Sequence, residues 1–175
     1  MAPCEYCEIQ ERKEGIIFQD DDIVIAVKDK VITPGQMTVF PKEHFTILEQ
    51  VPENIFVKCA VMANKVSIAA FECLGAQGTN LLVRNGLGAW QNVPHFSIEI
   101  IPRTEKDNLN LQWQGKPLAE DETETTLKVI KDQLESFSKE ETEKKEEKKK
   151  STENTDEAAK PKGENYLLKS LKRIP

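Results

Sequence analysis

Apolar positions divide the chain into a patterned body and a polar tail. From Glu53 to Leu74, Ile55, Phe56, Cys59, Met62, Ala63, Val66, Ala69, Ala70 and Cys73 recur at three- and four-residue spacing. That period predicts one long amphipathic helix, stopped by Gly75. Cys59 and Cys73 fall within the stripe and read as small buried hydrophobes. Short alternating or β-branched runs predict strands at Ile16–Gln19, Ile23–Lys28, Met37–Pro41, Asn80–Arg84 and Phe96–Ile101. Asp20-Asp21-Asp22 and Thr33-Pro34-Gly35-Gln36 separate them as turns. A second helix is expected over Asp121–Phe137, with Leu127, Ile130 and Leu134 as its apolar stripe. Strands in this order around one long helix predict an α+β fold, an antiparallel meander sheet with the helix packed on it.

The pattern ends near Ser138. A run of Lys and Glu follows, from Lys139 to Lys150, and then Ser, Thr, Asn and Asp. So few apolar groups cannot offset the entropy of ordering, so the tract is read as a solvated linker. The competing reading is a lone exposed helix held by Glu/Lys pairs four apart. Apolar residues return at Tyr166, Leu167, Leu168, Leu171 and Ile174, at near-helical spacing. The expected organisation is a domain over 1–115, a helical extension over 116–138, a charged linker over 139–163 and a short amphipathic motif over 164–175. The last could dock into a groove of its own dimer or of another protein. Its Lys169, Lys172 and Arg173 leave a membrane surface as the alternative, and a frayed terminus is the plainest reading.

Charge narrows the partners. A formal net charge of -6 argues against a nucleic-acid binder, which needs a basic face. The sequence reads as lacking a run of about 20 apolar residues that would cross a bilayer. Its first residues lack the basic and apolar regions of a secretory signal. A cytoplasmic location follows as an expectation, and the four cysteines then point to metal ligands or core filler before disulfides.

Cys4-Glu5-Tyr6-Cys7 places two thiols where a tight turn can aim both at one point, as tetrahedral zinc requires. A redox pair and a solvent-exposed pair stay open. The chain has only two histidines. His44 closes Phe40-Pro41-Lys42-Glu43-His44 at a strand end, and His95 opens His95-Phe96-Ser97-Ile98-Glu99-Ile100-Ile101. Strand alternation puts His95, Ser97 and Glu99 on one face and Phe96, Ile98 and Ile100 on the other.

Taken together, these motifs resemble the histidine triad (HIT) superfamily of nucleotide hydrolases and transferases. The resemblance covers roughly Cys4 to Arg103. It includes the Cys-x-x-Cys start, Ala26-Val27-Lys28-Asp29, Pro34-Gly35, Pro41-Lys42-Glu43-His44, Asn85-Gly86 and Val93-Pro94-His95 through Ile101-Pro102-Arg103. It implies a structural zinc on Cys4, Cys7, His44 and His95, a closed site left uncharged because two thiolates balance the ion. It also implies a homodimer and a purine nucleotide as ligand. Asp29 matches the family's ribose-contacting acid and Asn85 a polar contact near the phosphates. Gln91 and Asn92 fall in the family's phosphate-cradling stretch, although Trp90 stands where that stretch has glycine.

The family reads His-x-His-x-His along the last strand, with the middle His as nucleophile. Ser97 and Glu99 occupy the second and third positions here. A serine hydroxyl needs an adjacent base, and a carboxylate repels phosphate. Three functions follow as expectations: a zinc-stabilised nucleotide-binding or interaction module, a divergent hydrolase or transferase using Ser97 or Glu99 on a nucleotide phosphate ester or phosphoramidate, and a ligand-free dimeric scaffold.

Overall fold

The structure is a computed structural model that describes residues 4–28 and 30–149, with side chains in the last helix as far as residue 137. The described residues form two compact units that divide between Leu111 and Gln112. In the first, α1 (Glu5–Arg12) precedes β1 (Ile16–Gln19), β2 (Ile23–Ala26) and β3 (Met37–Pro41). The long helix α2 (Glu53–Leu74) comes next, then β4 (Gly78–Leu82) and β5 (Ile98–Arg103). The expected bounds of α2 match those observed, and Gly75 caps it in the left-handed region at φ 66°. The expected strands differ at their ends: β4 starts two residues earlier and β5 starts at Ile98 rather than Phe96. The sequence reading missed α1, a helix of only eight residues with a low density of apolar positions.

All strand pairs are antiparallel, in the order β1-β2-β3-β5-β4. The first three strands meander. The chain then crosses the sheet through α2, and β5 returns between β3 and β4. The turns are built by the residues expected to build them. The Asp20 carboxylate accepts the N–H groups of Asp22 and Ile23, and Lys58 bridges Asp20 and Asp22. The Pro34-Gly35 turn closes with Gln36 N–H donating to the Thr33 carbonyl at 3.1 Å.

Alternation along the strands sorts the side chains into two cores. Ile23, Ile25, Val39, Ile98 and Ile100 meet Cys59, Ala63 and Val66 of α2. On the opposite face, Val24, Ala26 and Phe40 are covered by Cys4 and Tyr6 at the start of α1. Cys59 is fully buried, and burial pushes its thiol up to about 12, as suits inert filler. Cys73, expected in the same stripe, is exposed instead. The buried run Cys59, Ala63, Val66, Ala70 ends before the helix does. A correction also applies to membrane crossing: α2 is long and apolar enough by length and composition to span a bilayer. In this fold its Cys59 face packs on the sheet.

Gly15 joins α1 to β1 at φ 70°, and a Cβ there would stand 2.5 Å from the Val27 carbonyl oxygen. Gly15 also accepts the Val27 N–H at 2.8 Å, so the backbone cannot move away. Gly15→Ala is therefore expected to cost at least about 2 kcal/mol, read from the urea midpoint. A midpoint within error of the parent would refute this.

In the second unit, α3 runs from Glu120 to Lys149. It continues through the Lys/Glu tract as far as Lys149, residues that the sequence reading assigned to the linker. Glu and Lys are both strong helix formers, so the helix carries on with few apolar anchors. The rest of the linker and the motif over 164–175 lie outside the described residues.

Candidate metal centre and adjoining cleft

Four side chains from three places in the chain converge beside the sheet. Cys4 precedes α1 and Cys7 lies in its first turn. His44 follows β3, and His95 lies three residues before β5. One donor atom from each lies within 4.8 Å of all the others. The Cys4 and Cys7 Sγ atoms stand 3.4 Å and 3.8 Å from His95 Nδ1, and Cys7 Sγ is 3.4 Å from His44 Nδ1. Such a cluster could hold a metal ion.

The surroundings prepare each ring for that role. His95 Nε2 donates to the Pro41 carbonyl at 2.9 Å, which leaves Nδ1 with its lone pair facing the sulfurs. His44 Nε2 lies 3.4 Å from Thr46 Oγ1. Burial pulls the His95 imidazole down to about 4, against the opposing pull of the Pro41 carbonyl, and the charge of His44 adds to the fall. The ring is therefore neutral at physiological pH, the form that ligates. Burial, then the neighbouring Cys4 sulfur, pushes the Cys7 thiol up to about 11. Two crowded thiolates are unfavourable without a cation between them, and a divalent cation would make both favourable.

A cleft of about 360 Å³, part of it open to solvent, adjoins the cluster and shares His95 with it. Ser97 and Glu99 line one side, Tyr6 and Lys28 another, and Leu82, Arg84 and Gln91 to Val93 the rest. The strand register explains the grouping. Glu99 sits beside Thr38, and Thr38 beside Ala26, so Lys28 follows on the same face two residues along. Although β5 begins at Ile98, the alternation extends back far enough to bring His95, Ser97 and Glu99 to the cleft together.

Both nominal catalytic positions have side-chain partners. Ser97 Oγ donates to Tyr6 Oη at 3.2 Å. Burial holds the Tyr6 phenol above its ordinary value, against the hydrogen bond from Ser97 and the charge of Lys28. Glu99, buried, is tied to Arg84 by a salt bridge. Lys28 Nζ lies 3.3 Å from Glu5, 3.5 Å from Tyr6 Oη and 5.0 Å from the Tyr6 ring centroid. Burial disfavours its charge, but Tyr6 and Glu5 outweigh burial, and it stays a cation.

The residues expected to contact nucleotide fare differently. Asp29 lies outside the described residues. Asn85 braces two loops: its Oδ1 accepts the Leu48 N–H at 2.9 Å and its Nδ2 donates to Glu49 at 2.8 Å. Gln91 accepts the Gly86 N–H and donates to the Thr46 and Val93 carbonyls, although it also lines the cleft. Asn92 lines the cleft. Trp90 adopts φ 59°, the left-handed conformation that favours glycine. Tyr6, Lys28 and Arg84 were missed by the sequence reading. Tyr6 was legible only as the residue between the two cysteines, and Arg84 only through its spacing from Leu82.

The same fold recurs among known proteins. The family model for the HIT domain matches residues 10–106. An uncharacterised HIT-like protein of Saccharolobus solfataricus is 34% identical over 106 residues, covering 59% of this chain and 76% of the relative. The chain belongs to the HIT family. Adenylylsulfatase of Arabidopsis thaliana is 31% identical over 117 residues, covering 66% of this chain and 58% of that protein. Among solved structures, a Zn-bound histidine triad family protein from Mycobacterium smegmatis superposes with a TM-score of 0.58 at 26% identity, over 77% of this chain and 96% of that one.

Proposed function

We propose that this chain is a zinc-stabilised HIT-domain module that binds a purine nucleotide and does not run the family's reaction through a histidine nucleophile. The observation that carries this reading is the fate of the two histidines. Both direct Nδ1 to the cysteine sulfurs, and at the nucleophile's place stands Ser97, whose hydroxyl donates to Tyr6 rather than to a base. Glu99, the nearest carboxylate along the strand, is engaged by Arg84.

The donor set suits zinc. A tetrahedral site with Zn–S near 2.3 Å and Zn–N near 2.0 Å separates its donors by about 3.3–3.8 Å, and three of the four sulfur–nitrogen distances here are 3.4, 3.4 and 3.8 Å, with all donors within 4.8 Å of one another. Cys4, Cys7, His44 and His95 would hold the ion, which supplies cross-linking rather than catalysis because no coordination position is left open. The Zn-bound state of the Mycobacterium smegmatis protein supports the same metal. Lys28 and Arg84 supply cationic groups to the cleft beside Ser97, where a phosphate could sit. A cytoplasmic homodimer is the assembly we infer from the family.

The second reading, an enzyme acting on a nucleotide ester, is favoured by the resemblance to adenylylsulfatase. One assay separates the two. Purified chain is tested for hydrolysis of adenosine phosphoramidate, a dinucleoside tetraphosphate and adenylyl sulfate, and for AMP binding by calorimetry. The expected result is binding without turnover. Turnover lost in Ser97→Ala or Glu99→Gln would establish the second reading. Absence of both binding and turnover would leave the scaffold.

A further inference from the structure

Tyr6 stands between the two cysteine ligands in sequence, and its side chain reaches from the metal cluster into the cleft. Its ring is buried, stacked on Phe40 at a centroid distance of 4.6 Å and set edge-on to His95 at 5.6 Å. Its hydroxyl accepts from Ser97 at 3.2 Å and from Lys28 at 3.5 Å. The residue before it, Glu5, pairs with the same Lys28. The start of α1 thus sets two candidate ligands, Cys4 and Cys7, around one residue that lines the cleft, Tyr6, and one that pairs with a cleft residue, Glu5.

That turn is held by the packing of Tyr6 on Phe40 and by the Glu5–Lys28 pair as well as by the cluster. An eight-residue helix is marginal by itself. The cluster ties its start to His44 and His95, which are 37 and 91 residues away in the chain. We propose that Tyr6 is a positioning residue of the cleft and that the metal sets its place, so that ion binding and nucleotide binding are coupled. The inference rests on the zinc and nucleotide readings above. With the ion bound, Tyr6 holds the Ser97 hydroxyl and the Lys28 ammonium at the cleft wall. With the ion gone, the first turn of α1 loosens, and both lose a fixed partner. Linkage makes the effect reciprocal: nucleotide raises zinc affinity by the factor by which zinc raises nucleotide affinity.

The test uses the full chain and Tyr6→Phe, which keeps the ring on Phe40 and removes only the hydroxyl. Zinc-loaded Tyr6→Phe is expected to retain one ion per chain and to bind AMP about fivefold more weakly than the parent. Equal affinity would overturn the proposal. A second readout does not depend on nucleotide. Exchange of zinc for the larger cadmium ion, which keeps the site closed, is followed through the NMR amide signals of Lys28 and Ser97. These signals should move in the parent and less than half as far in Tyr6→Phe. Equal movement in both proteins, or none in the parent, refutes the coupling. If AMP binds neither protein, the nucleotide reading fails, and the amide signals alone decide whether the metal positions Tyr6.

Discussion

Withdrawal of zinc with a strong chelator is expected to lower the thermal midpoint by roughly 16–32 °C. The cluster joins the start of α1 to the segments after β3 and before β5, and the unfolded chain has no preformed site to compete for the ion. Free zinc at a thousandfold above Kd stabilises the native state by about 4 kcal/mol, and each kcal/mol moves the midpoint of a domain this size by about 4–8 °C. Cys7→Ser should reproduce most of the loss, because one serine hydroxyl is a poor substitute for a thiolate. Metal analysis of protein purified without chelator should give one zinc per chain. A stoichiometry near zero, or a midpoint that ignores the chelator, would remove the metal from this account.

The second large effect is expected at Arg84. Its guanidinium is the partner of Glu99, whose side chain is only 10% exposed. Arg84→Ala leaves that carboxylate buried without its hydrogen-bonded partner, with only the Lys28 charge facing it across the cleft, at a cost of about 3 kcal/mol in urea denaturation. Removal of both charges is a different experiment. Arg84→Met with Glu99→Leu should lie within about 1 kcal/mol of the parent, because an apolar pair avoids desolvating two ions. A cost below about 1 kcal/mol for the single substitution would mean that Glu99 is solvated and free to act in the cleft. That outcome would strengthen the enzyme reading.

Different parts of the chain were legible to different degrees. The range of α2 could be read because its 3.6-residue period is sustained over six turns and ends at a glycine. The first three strands could be read because turn residues bound them. α1 could not: its apolar positions are few, and its place is set by contacts with Phe40, His95 and Lys28, far along the chain. Cys73 illustrates a complementary limit. Periodicity assigns it to a buried stripe, but how far along a helix a stripe is covered depends on what lies beneath it.

The candidate metal centre was visible as four residues of suitable type, and their convergence is what the fold adds. Asn85 and Gln91 show the opposite. The family resemblance suggested ligand contacts, while the tertiary structure engages both in bracing loops. By itself, the sequence determined the helix and strand periods, the presence of Ser97 and Glu99 after His95 and the supply of cysteine and histidine donors, because these are local properties of residue identity and spacing. Only the tertiary structure decided that Ser97 faces Tyr6, that Glu99 is held by Arg84, and that Lys28 enters the cleft. Each depends on strand register and on a contact between segments distant in the chain, and no local period encodes these.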